Sequence, residues 1–196
     1  MKNDIVLAGV GGQGILSIAA VIGIAAVENG LFLKQSEVHG MSQRGGDVQS
    51  HLRISDKRIN SDLIPHGKAG LIIAVEPKES LRHLPRLAPG GWIITNSVPQ
   101  ININDYPPID ELLNEIRKIR NSIIIDADAI AREAGSVRAS NMVVLGSATP
   151  FIDIPFTSIE NAISDLFGKK GSSVVDVNLK ALNAGRAESE KRLAGH

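Results

Sequence analysis

The chain has 196 residues with 21 Lys+Arg against 21 Asp+Glu, so its formal charge is zero, and 43% of its residues are hydrophobic. These values fit a single globular domain, residues 1–196, with a layered core. They argue against a general nucleic-acid binder, which needs an excess of basic residues. With no cysteine, the chain has no disulfide, no thiolate nucleophile and no thiolate to hold zinc or an iron–sulfur cluster.

Apolar runs alternate with helical stretches along the chain, the pattern of an α/β layer fold. Ile5–Ala8 reads as a central strand buried on both faces. A glycine-rich turn, Gly9 to Gly14, follows it. Ile15–Asn29 reads as a helix apolar nearly all round, stopped by Gly30. Its apolar part is shorter than the ~20 residues that span a bilayer, and Asp4 and the glycine turn disfavour a signal peptide. The expectation is a soluble, cytoplasmic protein without a membrane segment.

Leu31–Gln35 reads as a second strand. Val48–Ile54 alternates, with Val48, Ser50, Leu52 and Ile54 on one face and Gln49, His51 and Arg53 on the other, as in a half-exposed antiparallel strand. Leu71–Val75 is a further buried strand. Pro77 opens a short helix that Pro85 ends. Trp92–Asn96 reads as a strand after the turn Pro89-Gly90-Gly91. Pro107-Pro108 opens an amphipathic helix with Ile109, Leu112, Leu113, Ile116 and Ile119 on one stripe.

Ser122–Ile125 is a strand with Asp126 and Asp128 at its carboxyl end, where α/β sites gather; Asp128 is the expected cap of the next helix. Asn141–Gly146 reads as helical, with a strand as the alternative. Helices near 158–167 and 172–184 follow, and about 186–196 reads as a solvated polar tail. The expected architecture is a three-layer α/β/α Rossmann-like sandwich with a mixed, mostly parallel sheet.

Gly9-Val10-Gly11-Gly12-Gln13-Gly14 matches G-x-G-x-x-G between a strand and a helix, where the helix amino end favours anions. A dinucleotide site also needs an acid at the end of the second strand, and here Lys34-Gln35-Ser36 stands there. Glu37 is the nearest acid and follows the expected strand. The absence of Gly-Lys-Ser/Thr excludes a Walker A loop.

Glu37-Val38-His39-Gly40-Met41-Ser42-Gln43-Arg44-Gly45-Gly46 is the most unusual stretch. Its glycines permit backbone shapes that expose N–H groups. Arg44 can hold a carboxylate or phosphate by two parallel hydrogen bonds, with Glu37 or His39 to orient it. The residues leave ligand contact, subunit contact and a plain solvent loop open.

The histidines are scattered as His39, His51, His66, His83 and His196 without an HExxH pattern, so no dedicated metal site is expected. His51 and Arg53 read as surface or interface residues, Glu76 as a first-turn acid, His66 as a loop residue and Trp92 as packing.

Together the two loops resemble the gamma-type subunit of the thiamine-diphosphate-dependent 2-oxoacid:ferredoxin oxidoreductases. Segments that match in order are Leu52-Arg53-Ile54, Leu71-Ile72-Ile73-Ala74-Val75-Glu76, Asp126-Ala127, Asn141-Met142-Val143-Val144-Leu145-Gly146 and Asn178-Leu179-Lys180-Ala181-Leu182. The second loop and Arg138-Ala139-Ser140-Asn141 are most similar to the small (beta) subunit of the indolepyruvate branch.

The resemblance implies a subunit of an oxidoreductase that converts a 2-oxoacid to acyl-CoA and CO2, with electrons passed to ferredoxin. It implies no cofactor on this chain. Thiamine diphosphate, Mg and 4Fe-4S clusters would sit on a large partner subunit, with coenzyme A as co-substrate. The chain would be inactive alone, with a possible homodimer in isolation.

The resemblance assigns no catalytic residue and no metal ligand here. Gly9, Gly11, Gly12, Gln13, Gly14, Glu37, His39, Gly40, Met41, Ser42, Gln43, Arg44, Gly45 and Gly46 form the ligand or interface loops, with Arg44 the expected anion contact. The rival readings are an independent NAD(P)-binding oxidoreductase and a non-catalytic scaffold domain.

Overall fold

The structure is a computed structural model that describes residues 1–39, 46–101 and 105–195. Ile5, Val6, Leu7 and Ala8 are all fully buried in β1 (Lys2–Val10), with Ile5 and Leu7 packed in a helix-covered core and Val6 in a smaller cluster with Ile64 on the other face. α1 (Ile15–Glu28) returns the chain to β2 (Phe32–His39), which runs on past the expected Gln35 and so includes Glu37. β3 (Asp47–Ser55) then inserts between β1 and β2 and pairs antiparallel with both.

The remaining strands, β4 (Ala69–Ala74), β5 (Leu87–Asn96) and β6 (Ser122–Ile125), add in parallel on the other side of β1. The order is β2-β3-β1-β4-β5-β6, and β3 alone opposes the common strand direction among the described residues. The expected mixed, mostly parallel sheet is therefore observed. The Pro89–Gly91 turn lies inside β5, where the register shifts, and does not precede the strand.

The period-two alternation of the strands sorts their side chains into two cores. Ile5, Leu7, Leu52, Ile54, Ile73 and Ile94 face one layer. That layer holds α1, α4 (Ala127–Ala134), α5 (Ser140–Ala148), α6 (Phe156–Phe167) and α7 (Ser172–Ala194). Val6, Ile72 and Ile93 face the other side with Ile64. There α2 (Pro77–Arg82) and α3 (Ile109–Arg117) pack on each other and on β6 through Leu81, Leu112, Ile116 and Ile124.

The stretch Asn141–Gly146 is helical and wholly buried within α5. A strand would leave half its backbone bonds without partners at that depth. α5 crosses α7 at backbone distance. A Cβ on Gly146 would overlap the Leu182 carbonyl, and one on Gly185 would overlap the Val143 carbonyl. Ser147 Oγ donates to the Gly185 carbonyl at 2.7 Å.

The residues expected as a polar tail continue the same helix. α7 continues to Ala194, with Ser189 fully buried and the Arg186 guanidinium 4.1 Å from the Phe156 ring. Of residues 186–194 only Ser189 is buried, while Ala187, Glu190, Lys191, Arg192 and Ala194 are exposed.

A second correction concerns β3. His51 is buried, not surface, because the irregular connection between β3 and β4 folds back over it. Its Nδ1 accepts from Ile64 N at 3.0 Å, and Arg86 Nη1 donates to the Ile64 carbonyl at 2.9 Å. Arg53 donates to the Ser61 and Leu63 carbonyls at 3.0 and 3.1 Å, and through Nε to buried Asp4 at 2.7 Å.

Replacing Gly146 or Gly185 by Ala forces the two helices apart and should cost about 1–3 kcal/mol, read as a lower urea midpoint at unchanged slope. Gly168→Ala, in open space at φ −54, should leave the midpoint in place. Burial, aided by the Arg86 charge, pushes the His51 imidazole from its ordinary 6.5 down to about 4. The unfolded chain therefore binds a proton in that window that the folded chain does not, and stability falls as pH drops from 6.5 to about 4. His51→Asn keeps an acceptor for Ile64 and should flatten that part of the pH–stability profile.

Candidate functional site

The carboxyl ends of β1, β4, β5 and β6 share one edge of the sheet. α1 leaves β1 toward one face and α2 leaves β4 toward the other. Chains that diverge in this way open a crevice where α/β proteins take ligands. A cavity of about 1000 Å³ lies here. Its walls come from the glycine turn (Gly12, Gln13, Gly14), Val75, Asn96, Asp128, the 136–141 segment and the start of α7.

The glycine turn is shaped by protein contacts. Gln13 Oε1 accepts from Val10 N at 2.9 Å, which folds the turn back on its own strand. A Cβ on Gly9 would lie 2.7 Å from Ile15 Cδ1 and 2.8 Å from Gln13 Oε1. Gly14 has φ +77, and its Cβ position is taken by the Asn141 amide, which donates to the Gly14 carbonyl at 3.2 Å. Gly12, at φ +100, faces open space. Gly11 N donates to the Gly46 carbonyl at 2.9 Å and so joins this turn to the end of the second loop.

Among the described residues two helices begin at the cavity wall without a side-chain cap, α1 after Gly14 and α7 after Gly171, whereas α5 runs on from a 3-10 turn (Val137–Ala139) whose Arg138 N donates to Ser136 Oγ, and its Met142 N donates to Asn141 Oδ1. Free N–H groups and the helix dipole make such ends attractive to anions. Among the described residues Arg138 and Lys170 add two cations to the wall, against the single carboxylate of Asp128.

Asp128 does not cap α4, contrary to expectation. Asp126 does so, accepting from Ala129 N at 2.8 Å. Asp128 instead accepts from Asn96 Nδ2 at 3.2 Å, while Asn96 Oδ1 accepts from Ala127 N at 3.0 Å. A two-residue difference in where the helix starts decided which aspartate met the helix end and which met the cavity.

Glu76 is also more than a first-turn acid. It is 1% exposed and accepts from Gln100 N at 2.8 Å and from the Tyr106 hydroxyl. It thereby holds both ends of the loop that leads from β5 to α3. Burial, then the bond to Glu76, push the Tyr106 phenol above its ordinary value. Trp92 packs as expected, its ring 4.4 Å from that of Phe151.

The sequence-derived loops separate in space. Gly12, Gln13 and Gly14 line the cavity; Glu37 sits on edge strand β2 and does not. Its carboxylate accepts from Gln35 Nε2 on the same strand. Gly40, Met41, Ser42, Gln43, Arg44 and Gly45 lie outside the described residues, as does the side chain of His39. Arg138, Lys170, Asn96 and Asn141 were missed as cavity residues. Arg138 and Asn141 stood in a recognised segment, but nothing in their spacing says they face the glycine turn.

The insertion of β3 also displaces the position that a dinucleotide ribose would need. β2 is two strands from β1, roughly 10 Å at normal strand spacing. An acid on β2 cannot serve a nucleotide at the β1 turn as in a nicotinamide-binding fold.

If protein contacts make the glycines necessary, Gly14→Ala should cost about 1–3 kcal/mol through strain and overlap with Asn141. Gly12→Ala meets no atom, so it should cost only about 1 kcal/mol from its positive φ. Urea denaturation of both variants measures the difference.

The pyruvate ferredoxin/flavodoxin oxidoreductase family matches residues 4–188. The chain is 41% identical over 194 residues to the indolepyruvate oxidoreductase subunit IorB of Archaeoglobus fulgidus, covering 94% of each. It is 36% identical to the IorB subunit of Methanothermobacter thermautotrophicus, covering 94% of this chain and 96% of that one. A similar fold occurs in the structure of 2-oxoglutarate:ferredoxin oxidoreductase from Magnetococcus marinus with 2-oxoglutarate, coenzyme A and succinyl-CoA bound. That match has TM-score 0.76 and 24% identity and covers 97% of this chain but 31% of the longer one. On the match across residues 4–188 and the near full-length identity to the IorB subunits, this chain belongs to the pyruvate ferredoxin/flavodoxin oxidoreductase family.

Proposed function

We propose that this chain is the small subunit of a 2-oxoacid:ferredoxin oxidoreductase acting on indolepyruvate or another aryl 2-oxoacid, and that its cavity receives the phosphates of coenzyme A. The names of its relatives support the aryl branch. The observation that carries the coenzyme A assignment is the meeting of two uncapped helix starts, those of α1 and α7, with Arg138 and Lys170 around one cavity. Coenzyme A carries a pyrophosphate and a ribose phosphate, which suit such a wall.

In the overall reaction the bond between the oxo carbon and the carboxylate breaks and CO2 leaves. Two electrons pass one at a time to ferredoxin, and the thiol sulfur of coenzyme A bonds to the acyl carbon with loss of its proton. Thiamine diphosphate on the large subunit would supply the electron sink for the carbon–carbon cleavage. Iron–sulfur clusters belong there too, since this chain has no cysteine to hold them. The task left to this chain is to bind and aim the co-substrate and to close the cavity against its partner. By this reading it is inactive alone.

A scaffold role is the second reading, supported by the exposed Phe32 and Val38 on edge strand β2. The complex reconstituted with the large subunit separates the two. Removing both cations by Arg138→Ala and Lys170→Ala should raise the KM for coenzyme A by about tenfold or more and leave the KM for the 2-oxoacid unchanged. Arg44→Ala, measured beside it, should lower acyl-CoA formation if the second loop also meets the anion. An unchanged KM for coenzyme A in an intact complex overturns the cavity assignment and leaves the scaffold.

A further inference from the structure

On the sheet face opposite α1, a second cluster of ligating groups lies outside the cavity. Asp47 is the first residue of β3, where the 40–46 connection re-enters the sheet, and Glu79 and His83 lie one helical turn apart at α2. One ligand atom from each of the three falls within 4.8 Å of the others. His83 Nε2 lies 3.9 Å from Asp47 Oδ1, and its side chain is only 7% exposed.

Four buried side-chain polar atoms among the described residues lack a hydrogen-bond partner. Asp47 Oδ1 and His83 Nε2 are two of them, and a third, Gln49 Oε1, lies two residues along β3 on the same face as Asp47. Orphaned buried atoms cost about 1–3 kcal/mol each unless something satisfies them. Their concentration at one spot marks a place built for a ligand.

We infer that Asp47, Glu79 and His83 form a divalent cation site of the zinc class. One imidazole nitrogen and two carboxylate oxygens are a ligand set such an ion accepts, with a fourth position left for water. The ligand atoms need only close in slightly to reach the ~2.0–2.2 Å bond lengths.

Arg82 is the competing group. Its Nε pairs with Glu79 Oε2 at 2.6 Å, which leaves the other Glu79 oxygen for the ion. Asp47 and Glu79 bring two carboxylates into one cluster, so a dication there relieves their mutual repulsion. An ion at this point ties the start of β3 to α2, and with it Gly46 and the Gly11–Gly46 bond.

The full chain, stripped with a chelator, tests this. Titration with Zn2+ by calorimetry should show one ion per chain, and Co2+ should give a visible d–d spectrum with a nitrogen ligand. His83→Gln and Asp47→Asn should each weaken binding at least tenfold, whereas Arg82→Gln should tighten it. Zn2+ should raise the melting temperature of the wild type and not of the two weakened variants, whose folding is checked by circular dichroism. No binding to the wild type, or equal binding in His83→Gln and Asp47→Asn, overturns the site.

Discussion

The ladder between β1 and β3 is the contact on which the other features depend. Nine consecutive residue pairs, from Lys2 opposite Ser55 to Val10 opposite Asp47, hold an antiparallel strand against the centre of a parallel sheet. Their register brings Gly46 within reach of Gly11, puts His51 beneath the β3–β4 connection, and sets Asp47 against α2. A one-residue slip would turn Leu52 and Ile54 out of the core and expose Arg53 and His51 to it, so the apolar pattern itself protects the register.

That ladder also explains why a G-x-G-x-x-G turn here does not make a dinucleotide site. In the dinucleotide fold the second strand lies beside the first, and its terminal acid reaches the ribose. With β3 in between, β2 becomes an edge and Glu37 a residue of that edge. The glycines then answer to other demands. Gly14 admits Asn141, and Gly9 admits Ile15 and Gln13. The resulting turn is rigid, and its rear is closed by α5, which is itself locked to α7 through Gly146 and Gly185. A cavity bounded in this way is pre-formed, which lowers the ordering cost of binding.

The division of labour within the family follows from composition. A chain without cysteine can shape a binding wall but cannot carry electrons through thiolate-held clusters. Under the proposed function its chemistry is electrostatic: helix ends, Arg138 and Lys170, set in a protein whose total charge is zero. Local concentration of positive charge, not net charge, is what selects an anion at such a wall.

By itself, the sequence determined the α/β class, most strand positions, the two faces of β3 and the family, because alternation, glycine placement and a ten-residue loop are local patterns. It misjudged His51 and Glu76 because burial depends on what packs from elsewhere in the chain, and Asp128 because the helix begins two residues earlier than expected. The strand order was likewise undecided, since pairing partners are distant in sequence. Asp47 and His83 are 36 positions apart and Gly14 and Asn141 are 127 apart. No spacing rule links such residues; only the folding of β3 against α2, and of α5 against the glycine turn, brings their atoms together.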